Sequence, residues 1–182
     1  MTRPAPDQLS PAVFLDRDGT IMRDVNYCSD PKQVEIFSGV PEALVRLKRN
    51  GYKLVIISNQ SGIGRGYFTE EQFRSVQDAV DRKLVPAVID AVYYCPDQPD
   101  GTSTRRKPSP EMVFEAQRDH GIDLSRSFFV GDKVIDIQCG RNAGVRTILV
   151  QIGYWLHEEG TGADWVARDF TEATDIILKQ LK

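Results

Sequence analysis

The stretch Val13–Ile21, which reads VFLDRDGTI, decides the fold of this 182-residue chain. It opens with three apolar residues, a short run typical of a buried strand in a parallel sheet covered on both faces. Two carboxylates, Asp16 and Asp18, follow just before a Gly-Thr turn. Residues two apart in an extended chain point the same way, and ligands of open α/β sheets bind beyond the carboxyl ends of the strands. The stretch therefore predicts two acids at a ligand-binding edge.

Composition narrows the class of protein. The chain is 41% hydrophobic and 27% charged, with a net charge of −3, which disfavours nucleic-acid binding. No apolar run reaches the ~18 residues of a membrane span, and residues 1–10 lack the apolar segment of a secretory signal. Three scattered cysteines favour reduced thiols. We expect a cytoplasmic monomer that forms a single domain over residues 1–182, with a flexible lead-in over residues 1–11.

Predicted strands and helices alternate along the chain. Residues 19–38 have no clean period and predict a long loop with a small hairpin or flap. Alternation of this kind predicts a three-layer, doubly wound parallel sheet. The predicted strands cover residues 12–16, 53–57, 91–94, 128–130 and 147–150, and the predicted helices cover residues 41–49, 70–85, 110–121, 136–143 and 171–181.

Polar side chains follow four of these strands, and a parallel sheet would bring them to one edge. Several crowded carboxylates would repel one another unless a cation lay among them, and oxygen ligands suit Mg²⁺ better than zinc. A lysine and a hydroxyl beside a hard cation suit a phosphoryl group, whose transfer depends on positioning and charge neutralisation. The side chains are those of Asp16, Asp18, Ser58, Asn59, Lys107, Asp132 and Asp136.

These positions resemble the four motifs of the haloacid dehalogenase superfamily of phosphohydrolases. The matching segments are residues 15–20 (LDRDGT), 57–59 (ISN), 107–108 (KP) and 131–136 (GDKVID). Residues 58–66 (SNQSGIGRG) and 106–108 (RKP) are similar to the branch that contains heptose bisphosphate phosphatases and histidinol-phosphatase domains. The resemblance spans about residues 12–150 and implies a phosphomonoester hydrolase with an α/β fold.

The resemblance also implies a role for each residue. Asp16 would be the nucleophile that forms an aspartyl-phosphate, and Asp18 the general acid and base. Ser58 and Lys107 would bind the transferring phosphoryl group, which completes the catalytic set. Mg²⁺ would be held by Asp16, Asp18 (through its backbone carbonyl) and Asp132, with Asp136 in support. The residues expected to contact substrate are Asp24, Val25, Asn26, Tyr27, Asn59, Gln60, Arg106 and Lys133.

The intervals between motifs leave room only for loops, helices and one strand, so we expect no cap domain. The first choice of substrate is the small sugar phosphate D-glycero-D-manno-heptose 1,7-bisphosphate, with removal of its 7-phosphate in carbohydrate metabolism. Histidinol phosphate or another metabolite is the alternative. A receiver-like domain with a phosphorylated Asp is a third interpretation, but Asp18 argues against it, because a stable phospho-switch would not carry a poised hydrolytic acid.

One segment departs from the resemblance. The heptose phosphatase branch carries a zinc loop with the pattern Cys-x-His then Cys-x-Cys, and the matching residues here are Cys95, Asp97, Ser103 and Arg105. Structural zinc needs four ligands, so we expect no zinc. We hypothesise instead that Asp97 or Asp100 pairs with Arg105 to order the loop.

Overall fold

In a computed structural model, which describes residues 9–100, 102–151 and 161–180, the chain forms a six-stranded, fully parallel sheet. The five predicted strands are present, and the second one continues through Ser58 and Asn59. A sixth strand was not predicted, because it is only three residues long. The strands are β1 (Ala12–Leu15), β2 (Lys53–Asn59), β3 (Ala91–Cys95), β4 (Phe128–Gly131), β5 (Arg146–Val150) and β6 (Trp165–Ala167).

The predicted helices are present to within a few residues. Thr69 caps the helix that begins at Glu70 in a capping box, because its Oγ1 accepts from the Gln72 N–H at 3.2 Å and Gln72 Oε1 accepts from the Thr69 N–H at 2.8 Å. The segment after β2, where a turn was expected, forms a single helical turn instead. The helices are α1 (Val40–Arg49), α2 (Ser61–Gly64), α3 (Glu70–Leu84), α4 (Glu111–His120), α5 (Val134–Asn142) and α6 (Phe170–Lys179).

Residues of β1 alternate between two cores, one on each side of the sheet. Val13 and Leu15 pack with α1, α3 and α6, whereas Ala12 and Phe14 pack with α4 and the end of α5. All four side chains are fully buried, as expected for a central strand of a covered parallel sheet. The predicted three-layer architecture is confirmed.

The strand order is β3-β2-β1-β4-β5-β6. It reverses direction between β1 and β4, the switch point where doubly wound sheets bind their ligands. A receiver-like sheet has the order 2-1-3-4-5, so the strand order argues against that interpretation. The carboxylates after β1 therefore stand next to those after β4.

The segments around β1 are more ordered than the sequence suggested. The long loop predicted over residues 19–38 is present; in place of a regular hairpin it has one antiparallel bridge, between Met22 and Ile36, and a short 3-10 turn at Pro31–Gln33. The expectation of a flexible lead-in is wrong for its last residues, because Ser10 exchanges backbone hydrogen bonds with Gly121 and Asp123. Residues 1–8 lie outside the described part of the chain. Within that part, no helix is both long and apolar enough to cross a bilayer.

Candidate active site

Three buried carboxylates meet at the switch point. Asp16 follows β1, Asp132 follows β4, and Asp136 lies in the first turn of α5. Their oxygens lie within 4.8 Å of one another, and each residue is at most 6% exposed. We call these three residues and Lys107 the acidic cluster. The sequence-based prediction that the carboxylates converge is therefore matched by the geometry.

Lys107 is the buried counter-ion of the cluster. Its Nζ lies 2.6 Å from Asp16 Oδ1 and 2.7 Å from Asp136 Oδ1, and it donates to the Ile57 carbonyl at 2.8 Å. Burial alone would lower the pKa of Lys107, but Asp136 and Asp16 outweigh this effect and raise it. The lysine is thus charged and held in one place.

Asn59 fixes the backbone of Lys107. Its Nδ2 donates to the Lys107 carbonyl at 3.2 Å, and its Oδ1 accepts from the Lys107 N–H at 3.0 Å. Asn59 was expected to contact substrate. It lines the cavity described below, and both ends of its amide are also engaged with Lys107, so its hydrogen bonds position the lysine.

Two glycines allow the carboxylates to come this close. Gly19 has a φ of +99°, and a Cβ built on it would lie 2.3 Å from Asp132 Oδ2. A Cβ on Gly131 would lie 2.3 Å from the Cβ of Asp136. Any larger residue at either position would push a carboxylate out of the cluster.

The cluster carries more negative than positive charge, which fits a divalent cation. Burial and the neighbouring Asp16 raise the pKa of Asp132 to about 7, a sign that its charge is not fully compensated by the protein. The available donors are carboxylate oxygens, the ligands of Mg²⁺. Asp136 is already committed, since Oδ1 faces Lys107 and Oδ2 accepts from the Lys133 N–H at 3.1 Å. Asp16 and Asp132 are therefore better placed as ligands.

The side chain of Asp18 lies apart from the three clustered carboxylates. Arg17 Nε and Nη2 donate to its two oxygens at 3.0 and 3.2 Å, and Gln60 Nε2 donates to Oδ2 at 2.9 Å. Gln60 also donates to Ser58 Oγ at 2.8 Å, which links the two predicted catalytic residues. Burial raises the pKa of Asp18; Arg17 opposes this shift, and Asp16 reinforces it. A raised pKa suits a group that must donate a proton.

A cavity of about 150 Å³ opens over Asp18. Val25 does not line it and packs against the core instead. Asn26 and Tyr27 have positive φ values of 51° and 60°, backbone strain of the kind that gathers at functional sites. The lining residues are Asp18, Asp24, Asn26, Tyr27, Cys28, Asn59, Gln60, Ser61, Gly62 and Lys133.

Of the two cationic residues expected to contact substrate, Lys133 lines this cavity. Lys133 Nζ lies 3.1 Å from Asp24 Oδ2; burial alone would lower the lysine's pKa, but Asp132 and Asp16 raise it. Arg106 does not line this cavity. It lines a neighbouring one of about 460 Å³, together with Lys107, Ser103 and other residues. The two predicted substrate cations therefore face separate cavities.

In the loop over residues 96–106, side-chain hydrogen bonds connect residues of the two described parts, 96–100 and 102–106. Ser103 Oγ donates to Asp97 Oδ2 at 2.5 Å, lies 3.4 Å from Cys95 Sγ, and accepts from the Arg105 and Arg106 N–H groups at 3.3 and 3.2 Å. The four positions that match the zinc ligands of the branch thus lie together.

The hypothesis that Asp97 or Asp100 pairs with Arg105 is wrong. Arg105 forms a bidentate ion pair with Glu115 of α4, with two N–O distances of 2.7 Å, and donates to the Tyr94 carbonyl. Asp97 is committed to Ser103, and Asp100 accepts from Thr102. The planar guanidinium of Arg105 binds both carboxylate oxygens of Glu115, and this bidentate contact replaces the expected pair within the loop.

Sequence reasoning did not single out Arg17, Cys28, Ser61 or Gly62. Arg17 stands between the two acids of the first motif, and that position was the available signal. Arginines are mostly exposed, so nothing in the sequence indicated that this one is fully buried. The other three adjoin predicted site residues and line the cavity.

Comparison with known proteins places these features in one family. Residues 16–150 match the model of the haloacid dehalogenase-like hydrolases. A D-glycero-beta-D-manno-heptose-1,7-bisphosphate 7-phosphatase of Yersinia pestis is 39% identical, covering 96% of this chain and 99% of its own. The protein of the same name from Photorhabdus laumondii is 42% identical, covering 84% and 87%. The solved D,D-heptose 1,7-bisphosphate phosphatase of B. bronchiseptica, complexed with magnesium and phosphate, has a TM-score of 0.86 and 30% identity, covering 93% and 99%.

Proposed function

The chain belongs to the haloacid dehalogenase-like hydrolases, and from this premise we propose that it removes the 7-phosphate of D-glycero-β-D-manno-heptose 1,7-bisphosphate in a Mg²⁺-dependent reaction. The observation that carries the proposal is 39–42% sequence identity, over 84–96% of this chain, to phosphatases named for this reaction. The acidic cluster supports the proposal, because it supplies a carboxylate nucleophile, a cationic group for the phosphoryl oxygens and oxygen ligands for Mg²⁺.

We propose that Asp16 is the nucleophile. Lys107 holds Asp16 Oδ1 at 2.6 Å, which leaves Oδ2 free to attack phosphorus. The bond between phosphorus and the sugar oxygen breaks, and Asp18 donates its proton to that oxygen. Water then attacks the aspartyl-phosphate while Asp18 takes up a proton, so inorganic phosphate leaves and both acids are restored.

Lys107 and Ser58 would bind the phosphoryl oxygens during both steps. Ser58 is 1% exposed, and its Oγ is already oriented by Gln60, so it is preorganised for an oxygen ligand. Asp136 would act indirectly, by holding the ammonium group of Lys107.

Asp16, Asp132 and the backbone carbonyl of Asp18 would hold Mg²⁺. When bound, the ion supplies the positive charge that offsets the carboxylates and the incoming phosphate. The excess negative charge of the acidic cluster supports this assignment.

The sugar would occupy the cavity over Asp18. Asp24, Asn26 and Tyr27 would contact it from the loop that follows β1. Lys133 would attract a phosphate group within this cavity, and Arg106 would attract one in the neighbouring cavity. Gln60 would act through Asp18 and Ser58. Val25 would support the segment by packing against the core.

We further propose that the loop over residues 96–106 is ordered without zinc, by Ser103 and by the Arg105–Glu115 pair. The protein would work as a monomeric, single-domain enzyme in the cytoplasm. The proposal of a zinc-free loop rests on its donor set, and the other assignments rest on composition.

A panel of phosphorylated metabolites tests the substrate. Purified protein with Mg²⁺ should show its highest kcat/KM on heptose 1,7-bisphosphate, with phosphate lost from carbon 7. A higher kcat/KM on histidinol phosphate would replace the substrate assignment while keeping the chemistry. Failure to release phosphate from any compound, p-nitrophenyl phosphate included, would contradict the phosphatase itself.

A further inference from the structure

Arg17 is the largest fully buried side chain of the described part of the protein. Its guanidinium lies 5.2 Å from the centre of the Phe73 ring on α3. Nη1 is buried and has no hydrogen-bond partner among the described residues. A buried guanidinium is costly unless it is paired, and the carboxylate that pairs with this one is Asp18.

The contact between the two side chains is geometrically specific. Arg17 Nε and Nη2 both contact Asp18 Oδ2, at 3.0 and 2.9 Å, and Nη2 also donates to Oδ1 at 3.2 Å, so the planar guanidinium engages both oxygens. Gln60 approaches Oδ2 from another direction. The carboxyl group is therefore fixed in its plane, while the Asp18 side chain keeps 19% of its surface open to the cavity.

We propose that Arg17 is a positioning residue for Asp18. Resting on Phe73, it aims the free edge of the carboxyl group into the cavity, where the leaving oxygen and the attacking water must each meet it. This inference rests on the proposed function, because it gives Asp18 the acid and base role. Lysine would keep the positive charge at this position but not the fork.

Two substrates with different leaving groups distinguish a positioning role of Arg17 from a merely structural one. A sugar alkoxide needs a proton from Asp18 in order to leave, whereas p-nitrophenolate leaves without one. The ratio kcat/KM reports the reaction through formation of the aspartyl-phosphate, so the later hydrolysis cancels from a comparison of two substrates. If Asp18 is misaligned, kcat/KM should therefore fall more for the sugar phosphate than for p-nitrophenyl phosphate.

The test compares Arg17→Lys with wild type on heptose 1,7-bisphosphate and p-nitrophenyl phosphate. General acid catalysis contributes about 10²–10⁴-fold, so we expect the ratio of the two kcat/KM values to shift by at least about tenfold against the sugar phosphate. Arg146→Lys is the matched control, since Arg146 lies 3.9 Å from the centre of the Phe128 ring, also has an unpartnered buried nitrogen among the described residues, and sits at the opposite end of the strands. It should leave the ratio unchanged.

Phe73→Leu provides the same test if Arg17→Lys does not fold. It removes the ring beneath the guanidinium without altering Asp18, and it should shift the ratio in the same direction by a smaller factor. Equal losses on both substrates in whichever variant folds, or no loss at all, would overturn the proposal. A wild type that cleaves p-nitrophenyl phosphate and fructose 1,6-bisphosphate but not heptose bisphosphate would refute only the substrate assignment, and fructose 1,6-bisphosphate would then serve as the sugar phosphate.

Discussion

The acidic cluster and the loop over residues 96–106 meet at Lys107, which belongs to the cluster and directly follows the loop, yet the two regions are built in opposite ways. Each carboxylate of the cluster follows a strand or opens a helix, and all four side chains are buried. The loop is held by contacts between side chains, with Asp97 exposed and Arg105 37% exposed. Substitution of a residue in the buried cluster should therefore cost activity, whereas contacts between exposed side chains can be exchanged for others.

Removing Lys107 should produce the largest loss both of stability and of phosphatase activity. Lys107→Met leaves Asp16 and Asp136 buried without a counter-ion, which should lower the free energy of unfolding by about 3–5 kcal/mol. Phosphatase activity should fall by at least about 100-fold, because a preorganised cation is lost. Urea denaturation and steady-state kinetics measure the two effects. A variant as stable and active as wild type would show that the cluster does not depend on this lysine.

Asp132→Asn should separate metal binding from folding. In wild type, Mg²⁺ should raise Tm, because it binds the native carboxylates and relieves their repulsion. The variant should be at least as stable as wild type without metal, since it removes one buried charge, but should gain much less from Mg²⁺. Measuring the Tm of both proteins without Mg²⁺ and at Mg²⁺ concentrations that increase tenfold at each step checks this. An undiminished Mg²⁺ response in the variant would place the ion elsewhere.

The Arg105–Glu115 pair should matter moderately. Both side chains are partly exposed, so solvent screens the pair, and Arg105→Met should cost about 1 kcal/mol in the free energy of unfolding. Glu115→Gln should cost about as much, and the double variant little more, because both remove the same contact. Fully additive losses would mean that the pair does not hold the loop.

Ser103→Ala should have the smallest effect on stability, about 0.5 kcal/mol, because water can reach the groups it leaves behind. Its effect should appear in KM for the bisphosphate, since Ser103 supports the backbone of Arg106, whereas kcat/KM on p-nitrophenyl phosphate should stay the same.

Treatment of wild type with a zinc chelator should change neither KM for the bisphosphate nor kcat/KM on p-nitrophenyl phosphate, provided Mg²⁺ is restored. Loss of activity that only zinc restores would contradict the zinc-free loop.

The contrast between these two regions also explains what the sequence could predict. The apolar runs before Asp16 and Asp132 indicated strands, and a parallel sheet left one edge for the polar groups that follow. Strand β6 was missed because three residues at a sheet edge carry little pattern.

Partners within the loop could not be predicted in the same way. Asp97 and Asp100 are nearer to Arg105 in sequence, but its partner Glu115 is placed beside it by the packing of α4. The burial of Arg17 depends on Phe73, which is far away in the chain and brought close by α3. Tertiary contacts between polar side chains leave no periodic pattern in the sequence, so these two contacts could not be predicted from it.

In the proposed reaction Asp16 attacks phosphorus, while Asp18 donates and accepts the protons. The most direct test uses Asp18→Asn with p-nitrophenyl phosphate, whose leaving group needs no acid, so that only hydrolysis of the intermediate should stall. We predict a burst of about one equivalent of p-nitrophenolate, with a phosphoryl group found on Asp16 by mass spectrometry after acid quench. The Asp16→Asn, Asp18→Asn double variant should show neither. A burst that survives in the double variant, or a phosphoryl group on another residue, would contradict the account.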